Sequence, residues 1–199
     1  MKKQLVMASL ATLVSMVPMA ANAEMDMKHS DGAAPAQELV PPHSVEMYLD
    51  GFHNYKTESH LPPAKQSQIR VSHYCHHVSP DLIQCLIYNG NGKDAKVIGI
   101  EYVIPEKVYA TLPAKEKQYW HAHTGEVESG MLALPGMATQ AEKDTLAFVK
   151  TTYGKTWHVW RPEDKLPLGE PALMWPVDPD KMNEATKQSL AQRKLNPAF

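Results

Sequence analysis

No glycine-rich phosphate loop, dinucleotide fingerprint or nucleophile-elbow serine occurs in the 199 residues. Nucleotide-dependent transfer and serine hydrolysis therefore have no footing in the pattern; Ser129 stands in no such context. An excess of charge of one sign is also missing. Twenty basic and 22 acidic residues leave a formal net charge of −2, which does not favour a nucleic-acid partner. Internal repeats are absent, and after residue 23 no apolar run approaches the length of a membrane span. Cysteine is scarce: Cys75 and Cys85 are the two in the chain.

The first residues read as an export signal. Lys2 and Lys3 precede an apolar run over 5–19, and Ala21-Asn22-Ala23 fits a small-x-small cleavage pattern. Residues 1–23 are expected to be removed near Ala23, leaving a net charge of about −4 and placing the mature chain in the periplasm or outside the cell. Residues 24–42 are rich in Ala and Pro and without apolar periodicity, so they read as a disordered linker. Within it, Met25, Met27 and His29 offer soft ligands to copper or a similar ion, or form an ordinary polar tail. Residues 43–199 are long enough for a single domain with its own core.

Within that domain, Ser44 as N-cap and the spacing of Val45, Leu49 and Phe52 predict a short helix. From Ile69 the period changes to two, with Ile69, Val71, His73, Cys75 and His77 on one face. Strands follow over 82–88 and 97–104, separated by the hairpin signal Asn89-Gly90-Asn91-Gly92. A helix opened by Pro113 is expected to reach His121 or His123. Residues 131–134 read as a strand. A helix over 139–153 has Thr139 and Glu142 as capping box and Gly154 as stop. Residues 156–160 alternate as a strand, and a last helix, capped by Asp178, begins at Pro179 and carries Gln188 and Arg193. The expected fold class is α+β: an antiparallel sheet containing a three-strand meander, with packed helices.

If residues 79–81 turn a hairpin, Cys75 faces Cys85, close enough for a disulfide. Two buried thiols packed as small hydrophobes would satisfy the same pattern.

His121, His123 and Glu128 spell H-x-H followed by a carboxylate. This resembles the first metal motif of cupins, with His158 standing in for the later histidine. The donors suit a divalent transition metal. The glycine expected ahead of that motif is replaced by Lys115. On a strand the two imidazoles would share a face, whereas on a helix they would point about 200° apart. His73 reads as a hydrogen-bonded core residue, and His76 and His77 as facing opposite sides of their strand. No other catalytic set asks for attention, and no cofactor is required by the pattern.

Trp157, Trp160 and Trp175 bracket a Pro- and Leu-rich stretch. Either its aromatics pack the core, or Trp160, Leu166, Leu168 and Trp175 form an apolar rim that meets lipid.

Three stretches, HYCHHVSPDLIQCLIY (73–88), YWHAHTGEVESGMLALP (119–135) and YGKTWHVWRPEDKLPLGEPALM (153–174), together resemble the oil body-associated protein family, of which this chain is expected to be a bacterial exported member. The resemblance covers roughly residues 49–178. It implies association with oil bodies for the plant members, leaves the bacterial role open and supplies no catalytic residue. No apolar hairpin of the oleosin kind is visible, so any lipid or membrane contact would be peripheral. The reading is of a non-enzymatic module that binds lipid or another apolar surface, with a metal-binding protein or metal-dependent enzyme as the alternative. A protein partner is not identifiable.

Overall fold

The computed structural model describes residues 44–195. The export signal over 1–23, the linker over 24–42 and the Met25, Met27 and His29 set lie outside the described residues.

Seven strands run in the order β4-β3-β2-β1-β7-β6-β5, and β4 also pairs with β6. They are β1 (Met47–Tyr55), β2 (Gln68–Ser79), β3 (Leu82–Tyr88), β4 (Val97–Pro105), β5 (His121–Ala122), β6 (Thr152–His158) and β7 (Ala172–Pro176). The β4–β6 ladder, Gly99↔His158 through Pro105↔Thr152, closes β1, β2, β3, β4, β6 and β7 into a six-stranded antiparallel barrel. The helices are short: α1 (Glu106–Thr111), α2 (Ala114–Lys117), α3 (Thr124–Glu128), α4 (Thr139–Val149) and α5 (Glu184–Leu195). None of the described helices is long and apolar enough to cross a membrane.

The expected α+β fold is thus corrected. The β2–β3–β4 hairpins exist, but they are one side of a closed barrel rather than a meander with helices packed on it. Alternation within a strand reveals its two faces; it says nothing about which edges meet, and closure is a pairing of edges.

The largest local correction is β1. Leu49 and Phe52 have helical spacing, yet they lie on opposite faces of a strand. Leu49 pairs with His73 and Phe52 with Arg70. Both faces are buried from Leu49 to Tyr55, so the segment shows no polar side to mark the period of two. The helix expected to reach His121 or His123 stops at Lys117. The expected strand over 131–134 is a single bridge, Asp50↔Ala133. α4 ends at Val149 because the chain enters β6 at Thr152, which places Gly154 inside a strand. Its N-cap is Ala138, and Glu142 instead accepts the Leu134 N–H at 3.0 Å. Asp178 caps a 3-10 turn, Pro179–Lys181, and the last helix begins later, at Glu184.

Residues of one parity point into the barrel. Leu49, Val71, Cys75, Ile83, Cys85, Ile87 and Val103 make an apolar floor there. On the outside, Phe52 joins Met131, Val177 and Leu190 in a second cluster beneath α5.

Cys75 and Cys85 stand directly opposite one another and are joined by a disulfide, with Cα atoms 4.0 Å apart. The turn differs slightly from expectation: Ser79 pairs with Leu82, and a bulge after His77 restores the register. The bridge spans a sequence separation of 10, and closing so small a loop stabilises by about 2–3 kcal/mol. Urea unfolding with and without reductant should differ by about that amount; equal midpoints would show that the bridge adds nothing.

Candidate functional site

At the centre of the barrel lies Glu101, 3% exposed. It interrupts the apolar strand β4 at an inward position, opposite Cys85 on β3 and Thr156 on β6. Thr156 Oγ1 donates to Glu101 Oε1 at 2.8 Å. The same oxygen lies 3.3 Å from His121 Nε2 and 3.4 Å from His123 Nε2. The other oxygen, Oε2, lies 3.2 Å from His73 Nε2. A chain of imidazoles continues from there. His73 Nε2 is 3.1 Å from His53 Nε2, and His53 Nδ1 is 3.0 Å from His158 Nε2. All five histidines are buried, and so is Glu126, whose Oε1 lies 3.9 Å from His123 Nε2.

Local structure explains the convergence. His121 sits on β5, where it pairs with Gly154, and His123 caps the N-terminus of α3. Because the chain stays extended along β6 from His121, with the His123 N–H reaching the Thr152 carbonyl at 3.3 Å, the two side chains share a face and their rings meet edge to face at 5.2 Å. Gly154 makes the meeting sterically feasible. A Cβ there would overlap Glu101 Oε1 and stand 2.7 Å from both His121 Nε2 and His123 Nε2.

The electrostatics follow from burial against pairing. Burial alone would raise the Glu101 carboxyl, but its contacts with His121, His123 and His73 outweigh that and hold it well below the usual range. Burial also opposes charge on His73 and His123, yet Glu101 beside them leaves both raised. His121 is lowered, because burial there exceeds the help from Glu101. Burial drives His53 well down and His158 to about 3, with His73 adding to both effects. Glu126 is pushed up to about 7 by burial, against the pull of His123.

Of the residues singled out from sequence, His121 and His123 are brought together. Glu128 is not: it lies on the surface, paired with Lys150 at 2.7 Å. His158 is buried but faces His53 rather than Glu101. Trp160 is partly buried against the core, and its Nε1 donates to the Asp164 carbonyl at 3.2 Å. Trp175, on β7, is half-buried with Lys56 Nζ 4.6 Å from its ring centroid. Leu166 and Leu168 are 61% and 67% exposed. Sequence reasoning missed Glu101, Glu126, His53 and Gly154. Glu101 did leave a signal, as the one charged residue in VIGIEYVIP at the inward parity.

The chain is similar to several plant proteins. It is 36% identical over 150 residues to oil body-associated protein 1B of Arabidopsis thaliana, covering 74% of this chain and 60% of the relative. With oil body-associated protein 1A of Zea mays the identity is 39% over 165 residues, covering 82% and 67%. With oil body-associated protein 2A of Zea mays it is 37% over 145 residues, covering 72% and 55%. The chain therefore spans between about half and two-thirds of these relatives' length. No solved structure matches it. The expectation of a periplasmic or secreted location is corrected by these findings, since the relatives are plant proteins named for oil bodies. Residues 39–196 match the family described as protein of unknown function (DUF1264), and the chain belongs to that family together with its oil body-associated relatives.

Proposed function

We propose that this protein associates peripherally with the apolar surface of a lipid body, through the loop between β6 and β7. The observation that carries the reading is the exposure of Leu166 and Leu168 on that loop, the two most exposed large hydrophobic residues described. The names of the relatives supply the surface: they are oil body-associated. Trp160 and Trp175 leave the contact set, because both are partly covered by the protein itself.

Magnitudes say what kind of contact this is. Burying one leucine side chain is worth about 1.5–3 kcal/mol, so the pair supplies about 3–6 kcal/mol. That is enough for reversible adsorption and too little for permanent anchoring. Charge adds nothing, since Arg161 and Lys165 are outnumbered on the loop by Glu163, Asp164 and Glu170. Arg161 is moreover stacked over Tyr55, 4.2 Å from its ring centroid. Binding is therefore expected to be insensitive to salt and indifferent to anionic lipid.

The test is flotation with triolein droplets coated in phosphatidylcholine. The wild-type chain should float with the droplets equally at low and high salt. A Leu166→Asp/Leu168→Asp variant should lose at least about 100-fold in binding. No recovery of the wild type, or full recovery of the variant, would remove the proposal.

A further inference from the structure

The surface role leaves the interior unexplained. Five imidazoles and two carboxylates are costly to bury unless something holds them together. Hydrogen positions within the cluster can be deduced from its neighbours. His73 Nδ1 lies 3.3 Å from the Leu49 carbonyl oxygen, which only accepts, so that nitrogen carries the proton. His123 Nδ1 lies 2.7 Å from Thr152 Oγ1, and the hydroxyl proton of Thr152 is already donated to the Val149 carbonyl at 2.7 Å. His123 Nδ1 therefore also carries its proton. In neutral form, the His123 ring turns the lone pair of Nε2 toward Glu101 Oε1 at 3.4 Å, whereas His73 Nε2 is shared between Glu101 Oε2 at 3.2 Å and His53 Nε2 at 3.1 Å. Lone pairs facing a carboxylate repel, and a cation between them reverses the sign.

This is also how ligating histidines are held elsewhere: the outer N–H is fixed by a carbonyl or hydroxyl, and the inner nitrogen is left free for a metal. Spacing agrees. Ligands about 2.0–2.1 Å from a tetrahedral ion stand about 3.3–3.4 Å from one another. His121 and His123 stand 3.3 and 3.4 Å from Glu101 Oε1. Glu101, His121 and His123 have all their donor atoms within 4.8 Å of one another. Next to them is a cavity of about 30 Å³ lined by His73, Glu101, His123 and Glu126, large enough for a water molecule.

We propose that Glu101, His121 and His123 bind one divalent first-row transition-metal ion, with further coordination positions open to the cavity beside Glu126. Two imidazoles and a carboxylate suit zinc, iron, cobalt or manganese. Soft cuprous ion is disfavoured, because the nearby sulfurs of Cys75 and Cys85 are tied in a disulfide. Calcium is disfavoured by the nitrogen donors. Glu126, poised next to the open position, is the group placed to hold a metal-bound water.

The experiment begins with elemental analysis of the full chain purified without an affinity tag. Chelator-stripped protein is then titrated with cobalt(II) alone, followed by its visible absorption. One equivalent should bind, with the d–d bands of a low-coordinate nitrogen and oxygen site, and zinc should displace it. Glu101→Gln and His123→Ala should each weaken binding by at least about 100-fold, and Thr152→Val, which frees the His123 ring, by about 10-fold. Glu128→Gln and His77→Ala should bind like wild type. Stripped wild-type protein that stays folded by circular dichroism and takes up none of cobalt, zinc, manganese or iron would overturn the assignment. So would binding that survives both Glu101→Gln and His123→Ala. Flotation is read separately, so neither result depends on the lipid contact.

Discussion

Gly154→Ala is expected to cost about 3–5 kcal/mol of stability and to abolish cobalt uptake. The added methyl would enter the space that Glu101 Oε1 occupies, between His121 and His123. Neither side of the clash has an easy retreat. Gly154 is paired with Val103 on one side and His121 on the other, so the backbone is fixed within the sheet. Glu101 is tied to Thr156 and touched by three imidazoles. Overpacking alone costs about 1–3 kcal/mol, and a carboxylate displaced from its buried partners adds the larger part. Gly92→Ala is the control: a Cβ there meets nothing within 4 Å, so no measurable change is expected. Urea denaturation of both variants decides it. A Gly154→Ala loss below about 1 kcal/mol would mean that the cluster has slack, and the close packing argued for it would be wrong.

The same glycine shows why the site was only partly legible in the sequence. After a long amphipathic stretch, Gly154 reads as a helix stop, since glycine commonly ends helices. Its actual role is to lack a side chain opposite residues more than 30 and 50 positions away in the sequence. Proximity of that kind has no local signature. His121 and His123 stand out as a motif, but the sequence offers Glu128, five residues downstream, as their partner. The carboxylate they meet belongs to another strand. Glu101 was legible in a weaker sense: a single charge at an inward position of an apolar strand is either paired or functional. Here it faces three imidazoles.

The fold divides in a similar way. Strand β3 alternates cleanly, and β2, β3 and β4 all end at turn residues or proline, so their existence and the opposition of Cys75 and Cys85 follow from counting. β1 is buried on both faces and shows no alternation, and its Leu49 and Phe52 mimic a helical stripe. Closure rests on β6, which the sequence divides between the end of a helix and the start of a strand. Without β1 and with β6 shortened, the remaining strands resemble an open sheet with helices, which is the α+β expectation. What was missing was edge pairing, and edges carry no residue code of their own.

The burial of β1's outer face also sets the second large expectation, Arg193→Ala. Arg193 reaches from α5 and is 6% exposed. Its Nη1 donates to Asp50 O at 2.9 Å, Asp50 Oδ2 at 3.1 Å and Met131 O at 3.0 Å, and Nη2 donates to the Gly130 carbonyl. One guanidinium thus joins the last helix, β1 and the segment after α3 that carries Met131 into the outer apolar cluster. Truncation leaves three carbonyls and one carboxylate oxygen short of a donor beneath α5, and should cost about 3–5 kcal/mol. Asp50 keeps a second partner in Arg70, whose Nε and Nη2 donate at 2.8 Å each. That side chain is 29% exposed, so solvent offsets part of its loss, and Arg70→Ala should cost about 1 kcal/mol. Arg193→Lys should rescue little, because an ammonium cannot span a carboxylate and backbone carbonyls as a planar fork does. Urea midpoints of the three variants test the ranking. Equal losses for Arg70→Ala and Arg193→Ala would show that the buried fork holds nothing that the exposed one does not. α5 would then be a passive cover, and the floor of the metal-ligand cluster would owe its rigidity to the barrel alone.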